Sequence, residues 1–293
     1  MFIATLIAAN ELAAGQISEA MDRLAAAGCA PSAQGWIDEG VAADIAFGLG
    51  AHEARTALEG AFAGVDVVVQ SLAGRPKRLL IADMDSTMIT VECIDELADY
   101  AGIKPQIAEI TERAMRGELD FAEALDARVA LLKGLDESVI EQCLAERVRI
   151  MPGAVELVCT MRARGGTTIL VSGGFTRFAE PVGREIGFDR VVANRLMIVD
   201  GKLDGTVAKP IVDAGTKEAT LLAAIEQTPL PAEATLAVGD GANDLAMIRR
   251  AGLGVAYHAK PVVAAAADAR IDHNDLAALL YAQGIARRDW RTD

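Results

Sequence analysis

The stretch Leu79-Leu80-Ile81-Ala82-Asp83-Met84-Asp85-Ser86-Thr87 decides how this chain is interpreted. Its four apolar residues predict a short buried strand, and two carboxylates follow that strand at positions i and i+2. Open α/β sheets bind ligands at the carboxyl ends of their strands, so Asp83 and Asp85 are expected at such an edge. A cation such as Mg²⁺ together with a phosphate ester would offset the two negative charges. Considered alone, the motif is explained equally well by a polar loop that caps the next helix.

Short apolar runs alternate with helical patterns from Lys77 onward, which predicts an α/β fold with a parallel sheet. The strand candidates are Leu79-Ala82, Thr167-Val171, Val191-Ala193 and Thr235-Val238. Between about residues 93 and 149 the strand patterns stop and helical periodicity dominates. The helix candidates there are Ile94-Tyr100, Ile107-Arg116, Phe121-Lys133 and Ser138-Arg147. An all-helical insertion after the first strand would lie over the carboxyl edge of the sheet, where we expect it to form a cap.

Three further polar clusters follow elements of the same predicted sheet. Ser172-Gly173-Gly174 follows the second strand, Lys217 begins a helix, and Gly239-Asp240-Gly241-Ala242-Asn243-Asp244 follows a later strand. Glycine amides and a hydroxyl can hold phosphate oxygens, and carboxylates with an amide can bind a divalent cation. Separately, the first cluster is an ordinary flexible turn and Lys217 an ordinary solvated charge. Their shared position at one sheet edge favours a joint site.

Together these groups suit phosphoryl transfer, which needs a nucleophile in line, neutralised phosphoryl oxygens and a proton for the leaving group. Asp83 is the predicted nucleophile, because a carboxylate can form an aspartyl-phosphate. Asp85 is the predicted general acid and then the general base. Asp83 and Asp240 are the predicted Mg²⁺ ligands. The predicted donors to the remaining oxygens are Ser172, the amide of Gly173, and Lys217.

Residues 1 to about 72 form a separate pattern in the order strand, helix, strand, strand, helix, strand, which is typical of a ferredoxin-like unit. The predicted elements are Phe2-Ala8, Leu12-Ala27, Ala33-Ile37, Ala42-Phe47, His52-Phe62 and Val65-Gln70. The polar segment from Ser71 to Lys77 is the predicted connector, so the predicted domains are 1–72 and 77–293. No side chain of the first part suggests catalysis.

The charge balance is strongly acidic, with 28 Lys and Arg against 42 Asp and Glu and a net charge of −14. This argues against nucleic acid or an anionic membrane surface as a partner. The sequence has neither a signal-peptide pattern nor an apolar stretch long enough to span a membrane. The four cysteines, at positions 29, 93, 143 and 159, are scattered. They are interpreted as reduced thiols of a cytoplasmic protein.

The four polar clusters resemble the motifs of the haloacid dehalogenase-like hydrolases and, within that family, of the members that act on O-phosphoserine. The resemblance spans about Lys77 to Asp275. It implies a Rossmann-like core with a helical cap, and Mg²⁺-dependent hydrolysis of O-phospho-L-serine to L-serine and phosphate, the last step of serine biosynthesis. It also implies that the backbone carbonyl of Asp85 binds the metal. The N-terminal part resembles ACT-like regulatory units by its pattern alone.

The resemblance also assigns the groups that recognise the rest of the substrate. It places Glu92 at the substrate amino group, Arg128 at the carboxylate, and Asn243 near the phosphate, while Met115 and Phe121 close the site. The chemistry agrees, because O-phosphoserine carries an ammonium that an acid can bind and a carboxylate that suits the arginine fork. Without the resemblance, Glu92 and Arg128 would be interpreted as solvated helix charges. Met115 and Phe121 are equally well interpreted as apolar packing inside the cap.

Other functions remain open at this point. A related enzyme could hydrolyse another small phosphate monoester or transfer the phosphate to an acceptor alcohol. Residues 1–72 could instead form an amino-acid sensor, could mediate a homodimer, or could do neither. The complete set of catalytic groups favours an enzyme over a protein that only binds.

Overall fold

The N-terminal part contains a four-stranded antiparallel sheet in the order β2-β3-β1-β4. The computed structural model describes residues 1–293 apart from the side chain of Met115, so the role predicted for Met115 lies outside the described residues. The strands are β1 (Phe2–Ala8), β2 (Pro31–Asp38), β3 (Ala42–Phe47) and β4 (Val65–Ser71). Helices α1 (Ala14–Ala26) and α2 (Ala51–Leu58) connect them. Apolar side chains of both helices pack on this sheet in a shared core.

A six-stranded parallel sheet forms the centre of the rest of the chain, in the order β12-β11-β10-β5-β6-β7. Its strands are β5 (Leu79–Ala82), β6 (Thr167–Phe175), β7 (Arg190–Asn194), β10 (Thr235–Gly239), β11 (Leu253–Tyr257) and β12 (Ala269–Ile271). Strand β5 lies between β10 and β6 and is fully buried, as expected for a strand covered on both faces.

Helices flank the parallel sheet, and separate apolar clusters pack on its two faces. These helices are α7 (Ala154–Ala163), α8 (Thr176–Ile186), α9 (Ala214–Gln227), α10 (Leu245–Arg250), α11 (Pro261–Ala264) and α12 (Ala278–Ala282). A two-stranded hairpin of β8 (Leu196–Val199) and β9 (Lys202–Val207) follows β7. Within the described residues, no helix combines the length and the apolar character needed to cross a membrane.

Four helices form the cap that is inserted between β5 and α7: α3 (Cys93–Tyr100), α4 (Lys104–Met115), α5 (Phe121–Leu131) and α6 (Ser138–Glu146). The two segments that join the cap to the core pair with each other. The Thr90 amide donates to the Arg149 carbonyl at 3.0 Å, and the Met151 amide donates to the Met88 carbonyl at 2.9 Å. The cap therefore leaves and re-enters the core through one paired hinge.

A second attachment joins the cap to the β8–β9 hairpin. The Gly134 amide donates to the Leu203 carbonyl at 2.8 Å, and the Leu203 amide donates to the Leu135 carbonyl at 2.9 Å. The Lys209 ammonium also contacts the Asp126 carboxylate of α5 at 2.7 Å. The loop after α5 is thus bonded to the hairpin through its backbone, and α5 itself is paired with the segment that follows the hairpin.

The predicted α/β class and the N-terminal sheet with its strand-helix-strand-strand-helix-strand order are confirmed. The prediction of the second helix was too long, because α2 ends at Leu58 rather than Phe62. Residues of β8, β9, β11 and β12 were not predicted as strands. The division into domains 1–72 and 77–293 stays a prediction.

Candidate active site

The carboxyl ends of β5, β6 and β10 bring the predicted motifs side by side. Asp83 directly follows β5, and its amide donates to the Val238 carbonyl of β10 at 3.0 Å. Asp240 directly follows β10, so two of the carboxylates leave neighbouring parallel strands at the same edge. One detail of the prediction was wrong. Ser172-Gly173-Gly174 is not a turn after the strand but lies within β6, where the pairing with β7 becomes irregular.

Lys217 is a buried counter-ion rather than a solvated charge. Its ammonium lies 2.7 Å from Oδ1 of Asp83 and 2.6 Å from Oδ1 of Asp244, and the three side chains are 0%, 7% and 0% exposed. Burial alone would lower the pKa of Lys217, but the two carboxylates outweigh it and raise the pKa. Asp213 caps helix α9 by accepting from the Thr216 amide at 2.8 Å, which fixes the first turn that carries Lys217.

Asp244 has a structural position that sequence reasoning did not assign. Besides Lys217, its carboxylate accepts from the Gly241 amide at 3.0 Å. A Cβ atom on Gly239 would lie only 2.4 Å from the Asp244 carboxyl carbon, so the glycine leaves the space that this carboxylate occupies. The available signal was the second acid of the cluster 239–244, four positions after Asp240.

The carboxylates of Asp83, Asp240 and Asp244 form a group that could hold a metal ion, with one oxygen from each lying within 4.8 Å of the others. Burial first, and then the neighbouring Asp83, raise the pKa of Asp240 to about 6 and of Asp244 to about 7. The Lys217 ammonium contacts two of these three carboxylates, and all the metal-facing groups are hard oxygens, so the group fits a divalent cation such as Mg²⁺. The metal-binding role of the Asp85 carbonyl stays a prediction.

Asp85 has the environment of a group that can exchange a proton. Its carboxylate accepts from the Cys93 amide at 2.9 Å and from the Ser172 hydroxyl at 3.3 Å. Burial, followed by the charges of Glu92 and Asp83, raises the pKa of Asp85 to about 7. A carboxyl group with such a pKa can both donate and accept a proton near neutral pH.

Ser172, predicted as a phosphate ligand, contacts other parts of the site in this structure. Its hydroxyl oxygen accepts from the Gly174 amide at 2.8 Å, while its hydroxyl group faces Asp85.

Asn194 supports the next residue of the strand. Its buried amide donates to the Gly173 carbonyl at 2.8 Å and accepts from the Val212 amide at 2.7 Å. Asn194 was missed because it lies 21 residues from Gly173 and matches no motif.

A cavity of about 660 Å³ lies between the cap and the sheet edge, and it brings most of the predicted residues together. The predicted residues that line it are Asp83, Asp85, Glu92, Phe121, Arg128, Gly173, Asp240 and Asn243. The Phe121 ring lies over the strand, since a Cβ on Gly173 would be 3.1 Å from its Cζ. Ser172 and Lys217 are behind the wall, against Asp85 and Asp83.

Two charged groups of opposite sign occupy the cap side of this cavity. Glu92 accepts from the Ser86 hydroxyl at 2.6 Å, and burial is the main cause that raises its pKa. The Arg128 Nε donates to the Ala124 carbonyl at 3.2 Å, and burial is the main cause that lowers the pKa of the guanidinium. Sequence reasoning missed Lys260, which also lines the cavity and follows the unpredicted strand β11.

Comparison with known proteins agrees with this geometry. The family model of haloacid dehalogenase-like hydrolases matches residues 80–249, which is more than half of the chain. The chain belongs to the haloacid dehalogenase-like hydrolase family. The matched segment runs from the second residue of β5 into α10, and it therefore contains the residues of all four motifs of this hydrolase.

Individual relatives of this hydrolase are more specific. The chain is 48% identical over 225 residues to phosphoserine phosphatase SerB2 of Mycobacterium tuberculosis, an alignment that covers 76% of this chain but just over half, 55%, of that relative. A probable phosphoserine phosphatase structure from Vibrio cholerae has a TM-score of 0.77 at 35% identity and covers 99% of this chain and 90% of that one. A hydrolase of the same family from Salmonella enterica serovar Typhi has a TM-score of 0.85 at 26% identity, with 98% and 99% covered.

Proposed function

We propose that this hydrolase is a Mg²⁺-dependent phosphoserine phosphatase, which converts O-phospho-L-serine and water into L-serine and phosphate. The observation that carries the proposal is one cavity that joins Asp83 and Asp85 at the sheet edge with Glu92 and Arg128 on the cap side. The similarity to proteins named phosphoserine phosphatase supports the same substrate.

In the first step, the Asp83 carboxylate attacks the phosphorus atom, and the bond from phosphorus to the serine oxygen breaks. Oδ1 of Asp83 accepts from the Lys217 ammonium and from the Met84 amide at 2.8 Å, so we assign the attack to Oδ2. Asp85, with its raised pKa, gives its proton to the leaving serine oxygen. L-serine leaves, and an aspartyl-phosphate remains on Asp83.

In the second step, Asp85 takes a proton from water, and the resulting hydroxide attacks the same phosphorus atom. The bond to Asp83 breaks, phosphate leaves, and both aspartates return to their starting states. A metal ion held by Asp83, Asp240 and Asp244 would supply positive charge to the phosphoryl oxygens. The Lys217 ammonium contacts Asp83 and Asp244 from behind the cavity wall, where it offsets the negative charge of the nucleophile, and its direct contact with a phosphoryl oxygen stays a prediction.

The substrate assignment rests on charge complementarity. The Glu92 carboxylate is suited to bind the substrate ammonium, and the planar Arg128 guanidinium is suited to bind the substrate carboxylate through two hydrogen bonds. Phe121 and Asn243 line the same cavity, consistent with closing the site and contacting the phosphate. A cytoplasmic location and a place as the last step of serine biosynthesis stay predictions.

The test is phosphate release from O-phospho-L-serine by the purified chain with Mg²⁺ and with EDTA, for the unmodified chain and for Asp83→Asn. We expect the unmodified chain to release phosphate only with Mg²⁺, and the variant to release none. Incubation with ³²P-phosphoserine should leave an acid-stable label on the unmodified chain and no such label on the variant. Comparable turnover by Asp83→Asn, with an unchanged circular dichroism spectrum, would overturn the assigned nucleophile.

We also propose that the N-terminal sheet mediates a homodimer through strand β2. This strand is at the edge of its sheet, and residues 32–37 are uncharged although 24% of the chain is charged. Trp36 on this edge is 38% exposed. An edge strand with an uncharged central stretch presents backbone donors and acceptors to a like strand of a second copy. Light scattering should give the mass of a dimer for the unmodified chain and of a monomer for Trp36→Lys. A monomeric unmodified chain at micromolar concentration would contradict the proposal.

A further inference from the structure

The segment 272–277, which we call the junction loop, contacts three separate parts of the molecule. It directly follows β12 and lies against strand β4 of the N-terminal sheet. It also contacts the turn at residues 258–260, beside the cavity. The third part is the segment where the cap rejoins the core. The Leu276 amide donates to the Pro152 carbonyl at 3.2 Å, and the Ala277 amide packs so closely on Gly153 that a Cβ atom there would have no space.

Asp66 of β4 holds one end of the junction loop. This carboxylate is only 4% exposed, and it accepts from the backbone amides of Asp272 at 2.9 Å and Asn274 at 3.0 Å. It also accepts from the His273 amide at 3.2 Å and from the Asn274 side-chain amide at 2.8 Å. Three successive backbone amides that converge on one buried anion fix both the position and the orientation of a loop.

The junction loop is bonded in turn to His258. The Nε2 atom of His258 lies 3.0 Å from the Asn274 carbonyl oxygen, and since a carbonyl can only accept, Nε2 is the donor. His258 itself has a φ of 43°, an uncommon conformation for a residue other than glycine, and its amide donates to the Ile271 carbonyl at 2.9 Å. The turn is therefore held in an unusual conformation from the side of the loop.

The same turn continues to the candidate metal site. The Lys260 amide donates to the Asp240 carbonyl at 3.3 Å, and the Lys260 side chain lines the cavity. Asp240 supplies one of the three carboxylates of the metal-binding group. A continuous series of hydrogen bonds thus runs from Asp66 through Asn274, His258 and the 258–260 turn to Asp240.

We propose that Asp66 is a positioning residue for the metal site, acting from the N-terminal sheet through the junction loop on the backbone of Asp240. Removing its charge releases the amides of residues 272–274, and the 258–260 turn then loses the support that holds Asp240 in register with Asp83 and Asp244. The inference concerns metal binding by this chain's own carboxylates, so it does not depend on the identity of the substrate.

The test is Mg²⁺ binding to the full chain, measured by isothermal titration calorimetry without any substrate. We expect Asp66→Asn to raise the Kd about 2- to 30-fold, the range usual for coupling between distant sites. Asp44→Asn is the matched control, because Asp44 binds Arg75 at 2.7 Å, and Arg75 bonds Ala282 instead of the junction loop. The control should stay within twofold of the unmodified chain. Unchanged binding by Asp66→Asn, or equal weakening in both variants, would overturn the proposal, and so would a chain that binds no Mg²⁺.

His258→Asn breaks the same series from its exposed end, and asparagine tolerates a positive φ. This variant should raise the Kd for Mg²⁺ by a similar factor. The double variant with Asp66→Asn should have a Kd no higher than that of the single variant that binds Mg²⁺ more weakly. If Asp66→Asn does not fold, unchanged binding by His258→Asn is enough to refute the inference. Failure of phosphoserine turnover would instead refute the proposed function and leave these binding constants unaffected.

Discussion

The buried contact of Lys217 with Asp83 and Asp244 makes Lys217→Met the most informative perturbation of the site. Methionine keeps an unbranched side chain of nearly the same length but removes the ammonium, so two carboxylates that are 7% and 0% exposed lose their common counter-ion. At separations of 2.7 and 2.6 Å, each ion pair corresponds to about 6 kcal/mol at an effective dielectric constant of about 20. Most of this is offset because the ammonium no longer has to be desolvated, and breaking a buried pair leaves a net loss of about 3–5 kcal/mol.

The assay is urea unfolding followed by far-ultraviolet circular dichroism, at neutral pH with EDTA. Lys217→Met should lower the free energy of unfolding by about 3–5 kcal/mol. The double variant Lys217→Met/Asp244→Asn should recover part of that loss, because it removes one of the two carboxylates left without a partner. Mg²⁺ should also stabilise the single variant, since a cation can replace the missing positive charge.

Two results would refute this reasoning. One is a Lys217→Met variant that stays within about 1 kcal/mol of the unmodified chain, the range usual for an exposed pair. The other is a double variant that is less stable than the single one, which would show that the Asp244 carboxylate stabilises the fold without Lys217. Either result would mean that the ammonium is not what offsets the buried carboxylates.

Three further predictions concern proton transfer, substrate recognition and pH. Asp85→Asn should reduce kcat for phosphoserine about 10²- to 10⁴-fold. With an aryl phosphate, whose leaving group needs no proton, the variant should slow the first step less. An equal loss for both substrates in single-turnover measurements would contradict the role of Asp85 as an acid. Arg128→Ala should raise KM for phosphoserine far more than for an aryl phosphate, with Arg128→Lys intermediate, and a parallel rise for both substrates would show that Arg128 does not bind the carboxylate. In EDTA, the free energy of unfolding should fall as the pH rises from about 4 to 8. In the folded state the pKa of Asp240 is raised to about 6 and that of Asp244 to about 7, above their values in the unfolded chain. The folded state therefore binds more protons than the unfolded state in this window. Asp240→Asn should flatten this slope, whereas an unchanged slope in urea titrations at several pH values would show that Asp240 does not titrate in that window.

The central strands could be predicted from the sequence because burial on both faces demands short continuous apolar runs. Strand β5 was predicted to its exact residues and β10 to within one. The outer strands gave weaker signals. Strand β12 has only three residues, and β9 contains the pair Asp204-Gly205, which is typical of a turn and interrupts its apolar pattern.

The catalytic acids could be predicted for the same reason, since they directly follow strands that the sequence reveals. The contacts between polar side chains of different elements could not. Lys217 and Asp244 are 27 residues apart, and Asp66 is more than 200 residues from Asn274, so these pairs exist only because the topology brings the ends of different elements together. Hydrophobic periodicity describes one element at a time and carries no information about which polar side chains meet.

The backbone bonds between the cap and strand β9 have a consequence for the exchange of ligands with solvent. With the paired hinge at one side and Gly134 and Leu135 bonded to Leu203 at the other, the cap cannot swing away as a single piece without breaking hydrogen bonds at both sides. Each such bond contributes about 0.5–1.5 kcal/mol. Full opening of the cap for the entry and release of ligands would therefore require that the bonds to strand β9 break first.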